Sequence, residues 1–224
     1  MKERYLSALA AVMYSVAALA LICLIGSDFI FLSVTHSIKL ISTFLVFICG
    51  FSGSYFLLLN AKTAEQKQKI TFFSTLLLFI VYIIIILDFT LIDDSFGRNI
   101  SNYFSLNYSQ KAKFLEQNTN FIPFKTVKIF INGYNSGKLS LLAICENLIG
   151  NLIVFMPYAY FLPRLFHTTK KTVPFLVAVL LSVMVIEILQ ILFLTGSADI
   201  DDLILNTAGA MGIFGLMKTK GYYK

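Results

Sequence analysis

The chain has 224 residues, 58% of them hydrophobic and only 13% charged, with a formal net charge of +6 and a mean hydropathy of +0.80. Soluble domains carry about 25% charge, and disordered, collagenous or coiled-coil chains need polar bias, Gly/Pro periodicity or heptads. With 12 Gly, 4 Pro and long apolar runs the sequence fits none of these and reads as an all-α integral membrane protein.

A span needs about 20 apolar residues to cross the hydrocarbon layer. The first runs from Tyr5 to Ile25. Ala18-Leu19-Ala20 offers a signal-cleavage spacing, but the apolar run continues unbroken to Ile25, as an uncleaved anchor requires. Ile38 to Leu59 and Thr71 to Ile92 follow, so residues 1–92 are expected to form a three-helix membrane scaffold. Residues 93–117 are a polar extracytoplasmic loop rich in Asn and Ser, with a chance sequon at Asn99-Ile100-Ser101.

From Asn120 the loop changes character. Pro123 suits a first helical position and Gly133 a C-terminal stop. Between them Phe124, Val127 and Ile131 share one face while Lys125 and Lys128 stand off it, the pattern of a short amphipathic helix lying in the membrane surface. A plain surface anchor explains it; the sharper expectation is that the lysines receive anionic lipid headgroups or a lipid-linked diphosphate. Leu141 to Pro163 and Val173 to Leu194 are further strong spans. The sixth, Leu203 to Met217, reaches only about 22 Å, and starting its helix at Asp199 lengthens it to nearly a full crossing. The chain therefore holds about six transmembrane helices, five strong and one short. Residues 118–217 form a second membrane domain and 218–224 a basic tail.

Cationic loops stay on the cytoplasmic side. With both termini inside, Lys2, Arg4, Lys62, Lys67, Lys69, Arg164, Lys170, Lys171, Lys218, Lys220 and Lys224 are cytoplasmic against only Glu3 and Glu65. Cys23, Cys49 and Cys145 lie in spans, odd in number and without metal-ligand spacing, as packing residues do.

Ionisable groups inside a span are expensive and read as functional by default. Asp88, one turn from the end of the third span, fits an interfacial carboxylate. Glu146, Glu187 and Asn206 fall at one depth, roughly 8 to 10 Å from the outer ends of three spans. Gln190 shares a face with Glu187, and Asn206 with Asp202. Asn147 and Asn151 form a stripe beside Gly150. These groups could converge on one outward-opening pocket, although the amides alone also suit interhelical hydrogen bonds. In the turn before the sixth span, Asp199 and Asp202 resemble an N-cap and its N3 acid, which leaves Asp201 unexplained. Hard oxygen ligands from Asp201, Asp202, Glu146 and Glu187 could hold a divalent cation, but no His and no EF-hand spacing support that, and no metal or cofactor is expected. Ala208, Gly209, Gly212 and Gly215 would let another helix approach the sixth span closely.

No G-x-S-x-G, H-E-x-x-H or P-loop occurs. Instead Glu187-Ile188-Leu189-Gln190, Gly196 and Asp199-Ile200-Asp201-Asp202-Leu203-Ile204-Leu205-Asn206-Thr207-Ala208-Gly209 resemble the hallmark of the VanZ-like family of bacterial membrane proteins. Asn151, Phe155 and Pro157 are similar to its Asn-x-x-x-Phe-x-Pro element, and Asn120 to Phe124 to its Asn-x-x-Pro-Phe segment. The resemblance spans roughly residues 118–217. Ala159 stands where the family often has Gly, and Ser197 or Ala198 where many members have Arg, so the fixed positive charge those members place beside the acids is missing from this turn.

The resemblance implies a multipass bacterial cell-membrane protein. The family's founding member is associated with low-level resistance to teicoplanin, a lipoglycopeptide that binds cell-wall precursors; no catalytic residues come with it. The leading expectation is a non-enzymatic envelope accessory factor. Its pocket, formed by Glu146, Asn147, Asn151, Glu187, Gln190, Asp199, Asp201, Asp202 and Asn206, and its surface helix, with Pro123, Phe124, Lys125 and Lys128, would bind a lipid or lipid-linked cell-wall precursor and so lower glycopeptide susceptibility. The alternative is an intramembrane enzyme acting on a lipid or polyprenyl carrier, with Glu187 as general acid or base and Glu146 or Asp202 as partner. A transporter or flippase ranks third, because paired broken helices are not evident in the sequence. Membrane lipids are the expected partners and nucleic acid is not.

Overall fold

The structure, a computed structural model, describes residues 2–29, 35–93, 98 and 100–223. Asn99, the first residue of the sequon, and Lys224 of the basic tail lie outside them. Among the described residues six helical segments are long and apolar enough to cross a membrane: Glu3–Ser27, Ser37–Asn60, Ala64–Leu91, Leu141–Leu165, Thr172–Phe193 and Ile200–Thr219. The protein is thus an all-α multipass membrane protein. The sixth segment is the shortest of the six, as expected, and beginning at the acidic turn makes it long enough to cross. Its 20 residues rise about 30 Å, because the acidic turn itself begins the helix. The chain divides into two compact units, residues 1–97 and 98–224.

The first unit holds α1 (Lys2–Phe29), α2 (His36–Asn60) and α3 (Ala64–Leu91). A capping box starts α3: Gln66 N–H donates to Thr63 Oγ1 at 3.1 Å, and Gln66 Oε1 accepts from Thr63 N at 3.3 Å, so two backbone donors at the helix start are satisfied. Leu24, Val46 and Ile85 form the packed centre. Gly50 and Gly53 are packing positions: a Cβ at Gly53 would lie 3.0 Å from the Tyr14 ring. The Tyr14 hydroxyl lies 2.9 Å from Ser54 Oγ and 3.3 Å from Ser74 Oγ, joining three helices. Tyr14→Phe is therefore expected to destabilise this unit by about 1 kcal/mol, read as a lower unfolding temperature in micelles. A buried ion pair absent from the sequence expectations, Lys39 Nζ to Asp93 Oδ1 at 2.6 Å, closes one end of the unit. Of the cysteines here only Cys49 is buried; Cys23 is exposed on the helix surface, as a weakly polar side chain in a lipid-facing position can be.

The second unit begins with α4 (Ser101–Ser105) and α5 (Tyr108–Gln117), then β1 (Thr119–Asn120) and α6 (Lys125–Asn135). The fourth span follows. It is not one continuous helix: α7 (Leu141–Ile144), a π-helical turn (Cys145–Ile149), α8 (Gly150–Val154) and α9 (Tyr158–Leu165) succeed one another. Pro157 has no N–H to give, and the bonds around it shorten to Met156 N to Ile153 O and Tyr158 N to Phe155 O, at 3.0 and 3.1 Å, tightening and breaking the helix there. One span is thus interrupted where the sequence shows an unbroken run. A 3-10 turn (His167–Lys170), α10 (Thr172–Phe193), β2 (Ala198–Asp199) and α11 (Ile200–Thr219) complete the unit. The only pairing described is a two-residue parallel bridge, Thr119 opposite Ala198 and Asn120 opposite Asp199.

Packing centres on α11. Gly209 meets the backbone of Leu152 so closely that a Cβ there would fall on the Leu152 carbonyl oxygen, whereas Gly212 and Gly215 face open space. The predicted small-residue stripe thus contributes one close approach within the chain. Phe214 stacks on Phe175 at 4.2 Å and on Tyr223 at 4.9 Å between ring centroids. The Tyr223 hydroxyl donates to Ala159 O at 2.6 Å, and burial pushes its pKa up to about 12, so it remains a donor at any physiological pH.

Candidate functional site

The site grows from the acidic turn between α10 and α11. At the end of α10, Leu194 turns left-handed at φ 55° and Thr195 N–H closes onto Gln190 O at 2.9 Å, reversing the chain. Asp199 then caps α11, its Oδ1 accepting from Asp201 N at 2.9 Å. The N3 position does not complete a capping box, because the Asp202 carboxylate accepts instead from Asn151 Nδ2 on α8.

The other two aspartates clamp α6. Asp199 accepts from Asn120 Nδ2 at 2.9 Å and from the Thr126 hydroxyl. Asp201, 1% exposed, accepts from the backbone N–H groups of Phe124, of Thr126 at 2.8 Å and of Val127 at 3.1 Å. Three amides at a helix N-terminus satisfied by one carboxylate make a strong charge-assisted cap. It comes from a different helix, because α6 has no side-chain cap of its own. The limits of α6 differ from those predicted. Pro123 lies outside the helix, Phe124 is its N-cap at φ 61°, and Gly133 is internal, its Cβ position blocked by Leu139. Gly137, at φ 69°, takes the left-handed position beyond the end, where glycine has no steric penalty. Lys125 and Lys128 are exposed on α6.

Glu187 on α10 accepts from Asp199 N at 3.0 Å through Oε2. The guanidinium of Arg98 lies against the turn, Nη1 donating to Thr195 O at 3.4 Å. Gly196 makes this possible, since a Cβ there would sit 2.5 Å from Arg98 Nη1 and 3.0 Å from Gln190 Cδ. Burial lowers the Arg98 pKa, and the opposing charges of Asp202 and Glu187 partly restore it; with so basic a group the cation persists. The turn therefore has its positive charge after all, supplied from residue 98 and not from position 197 or 198. Sequence spacing could not find this residue, which lies about 100 positions upstream in a polar loop.

Gln190 and Asn206 are each 4% exposed, and Asn206 Nδ2 donates to Asp202 O at 2.7 Å. Arg98 Nε, Thr195 Oγ1 and Asn206 Oδ1 are buried without a hydrogen-bond partner among the described residues, an unusual concentration of unused polar atoms around one turn. The structure thus brings Glu187, Asp202, Asn151 and Arg98 together, with Asp199, Asp201, Gln190 and Asn206 in the frame around them. Glu146 and Asn147 stand apart: both are exposed, Asn147 Nδ2 bonds Ala143 O at 2.8 Å within its own helix, and no hydrogen bond described joins Glu146 to Glu187 or Asp202. Among the described residues no three His, Cys, Asp or Glu are grouped as a metal ion would need.

The family model VanZ/LLP1 matches residues 79–220, a stretch that contains every residue of this site. No curated protein and no solved structure shows a significant match to the chain.

Proposed function

The chain belongs to the VanZ/LLP1 family and is a helical membrane protein, and from that premise we propose that it is an envelope accessory factor of the bacterial cell membrane. In this reading both termini are cytoplasmic. The site around Glu187 and Asp202 opens outward and binds a lipid or lipid-linked cell-wall precursor, so that teicoplanin-type glycopeptides find less of it. One observation carries the reading: the Asp199–Asp201 clamp pins α6, with Lys125 and Lys128 exposed, to the same turn that presents Asp202 beside Glu187 and Arg98. Lysines at a membrane surface attract a diphosphate. Carboxylates and unused polar atoms suit the hydroxyl and amide groups of a sugar-peptide headgroup.

Two probes test this by native mass spectrometry of the purified protein: a polyprenyl diphosphate, and the same carrier bearing a sugar-peptide headgroup. Wild type should bind the second more tightly. Glu187→Gln with Asp202→Asn should remove about tenfold or more of that affinity, the loss of a charge-assisted hydrogen bond, while Lys125→Ala with Lys128→Ala should weaken both probes alike. Equal binding of the two probes by wild type would overturn the headgroup site.

A second reading is favoured by the placement of two carboxylates, Glu187 and Asp202, around one guanidinium: an intramembrane enzyme that modifies a lipid or polyprenyl-linked precursor, Glu187 exchanging a proton with Asp202 as partner. Lipid profiles from cells with and without the protein decide it, since unchanged profiles exclude a lipid-modifying reaction.

A further inference from the structure

The opposite end of the second unit carries a different arrangement. Between α9 and α11 lies a cleft of about 390 Å³. Ile213, Leu216 and Met217 give it an apolar lining, with Leu216 exposed, and Tyr160, Arg164, Lys220 and Tyr222 line it as well. The Arg164 guanidinium stacks 3.9 Å over the Tyr160 ring and donates through Nη1 to Tyr160 O at 3.1 Å, which fixes its plane beside the cleft. Neither Arg164 nor Lys220 has a carboxylate partner among the described residues. The sequence explains why: no Asp or Glu occurs between Glu146 and Glu187 or after Asp202, whereas Arg164, Lys170, Lys171, Lys218 and Lys220 all lie in those stretches. Arg164 and Lys220 stand at the ends of the segments Leu141–Leu165 and Ile200–Thr219, and Tyr160 is close by, where aromatic and cationic side chains meet the headgroup layer.

We propose that this cleft binds an anionic phospholipid, its phosphate held by Arg164 and Lys220 and its acyl chain laid on Ile213, Leu216 and Met217. A cleft of this size holds a headgroup and the start of a chain. An apolar lining next to uncompensated cations distinguishes a lipid from a free anion, which needs no apolar contact. The site is separate from the acidic turn, which lies at the other end of α11.

The test is native mass spectrometry of the full chain titrated with phosphatidylglycerol and with phosphatidylcholine. Wild type should bind phosphatidylglycerol several-fold more tightly. Arg164→Gln with Lys220→Gln should weaken it roughly 25-fold, at about fivefold per cation removed near a membrane surface, and Arg164→Lys with Lys220→Arg should keep most of the binding. Lys67→Gln with Lys69→Gln, exposed lysines of the first unit, should leave it unchanged. If the double glutamine variant fails to fold, Lys220→Gln alone, at an exposed position, should still show the fivefold loss. Equal binding of the two lipids, an equal loss in the Lys67/Lys69 control, or displacement of phosphatidylglycerol by excess inorganic phosphate would each overturn the proposal.

Discussion

Asp201→Ala is expected to destabilise the second unit by about 3 kcal/mol, the upper range for losing hydrogen bonds to a charged group. The carboxylate is fully enclosed and receives three backbone N–H groups of α6, none of which has another side-chain cap. Alanine leaves those donors without their acceptor, those of Thr126 and Val127 at half-buried positions. It also releases Phe124, whose left-handed φ of 61° costs about 1 kcal/mol and persists only while its surroundings hold it. Asp201→Asn should cost less, roughly 2 kcal/mol, because its amide keeps one acceptor oxygen and turns a donor toward donors. Thermal unfolding in micelles measures the loss, and limited proteolysis should show cleavage around residues 121–139 before global unfolding. A variant as stable as wild type and equally resistant there would contradict the clamp.

Gly209→Ala carries the second large effect. The new Cβ would fall on the Leu152 carbonyl oxygen and 2.8 Å from its carbon. Both are backbone atoms, so no rotamer change relieves the clash and α8 must move away from α11. Overpacking of this kind costs about 3 kcal/mol. The movement also separates Asn151, the neighbour of Leu152, from Asp202, so the site loosens together with the fold. Gly212→Ala and Gly215→Ala, which meet nothing within 4 Å, should change stability by less than about 1 kcal/mol, in the stabilising direction, from helix propensity. Unfolding temperatures of the three variants separate these cases; similar losses in all three would contradict a single close approach at Gly209.

Apolar run length showed the six crossings in the sequence, because a hydrocarbon layer imposes one length on every span. It did not show the break at Pro157, since an interrupted helix is as apolar as a straight one. The polar residues of α10 and α11 were legible as a group because helical spacing puts Glu187 with Gln190 and Asp202 with Asn206. Their partners were not. Whether Asp201 points at solvent, a ligand or the amides of another helix depends on where α6 packs, and backbone amides leave no mark in a sequence. Arg98 was invisible for a related reason, as contact between residues 98 and 195 is a property of the fold and not of spacing. Glu146 shows the converse: counting helical rise gives its depth in the membrane but not its rotation about the helix axis, and the π-helical turn that contains it alters that rotation.

Drug susceptibility in a sensitive host tests most directly whether the site around Glu187 and Asp202 is where the protein acts. Cells would express wild type, Glu187→Gln, Asp202→Asn, Arg98→Gln or Lys125→Ala with Lys128→Ala, each matched for amount in the membrane, and be challenged with teicoplanin and vancomycin. Protection by wild type that is lost in the Glu187 and Asp202 variants and reduced in the other two is the expected result. Protection that survives in the Glu187 and Asp202 variants, or no protection by wild type, would contradict it.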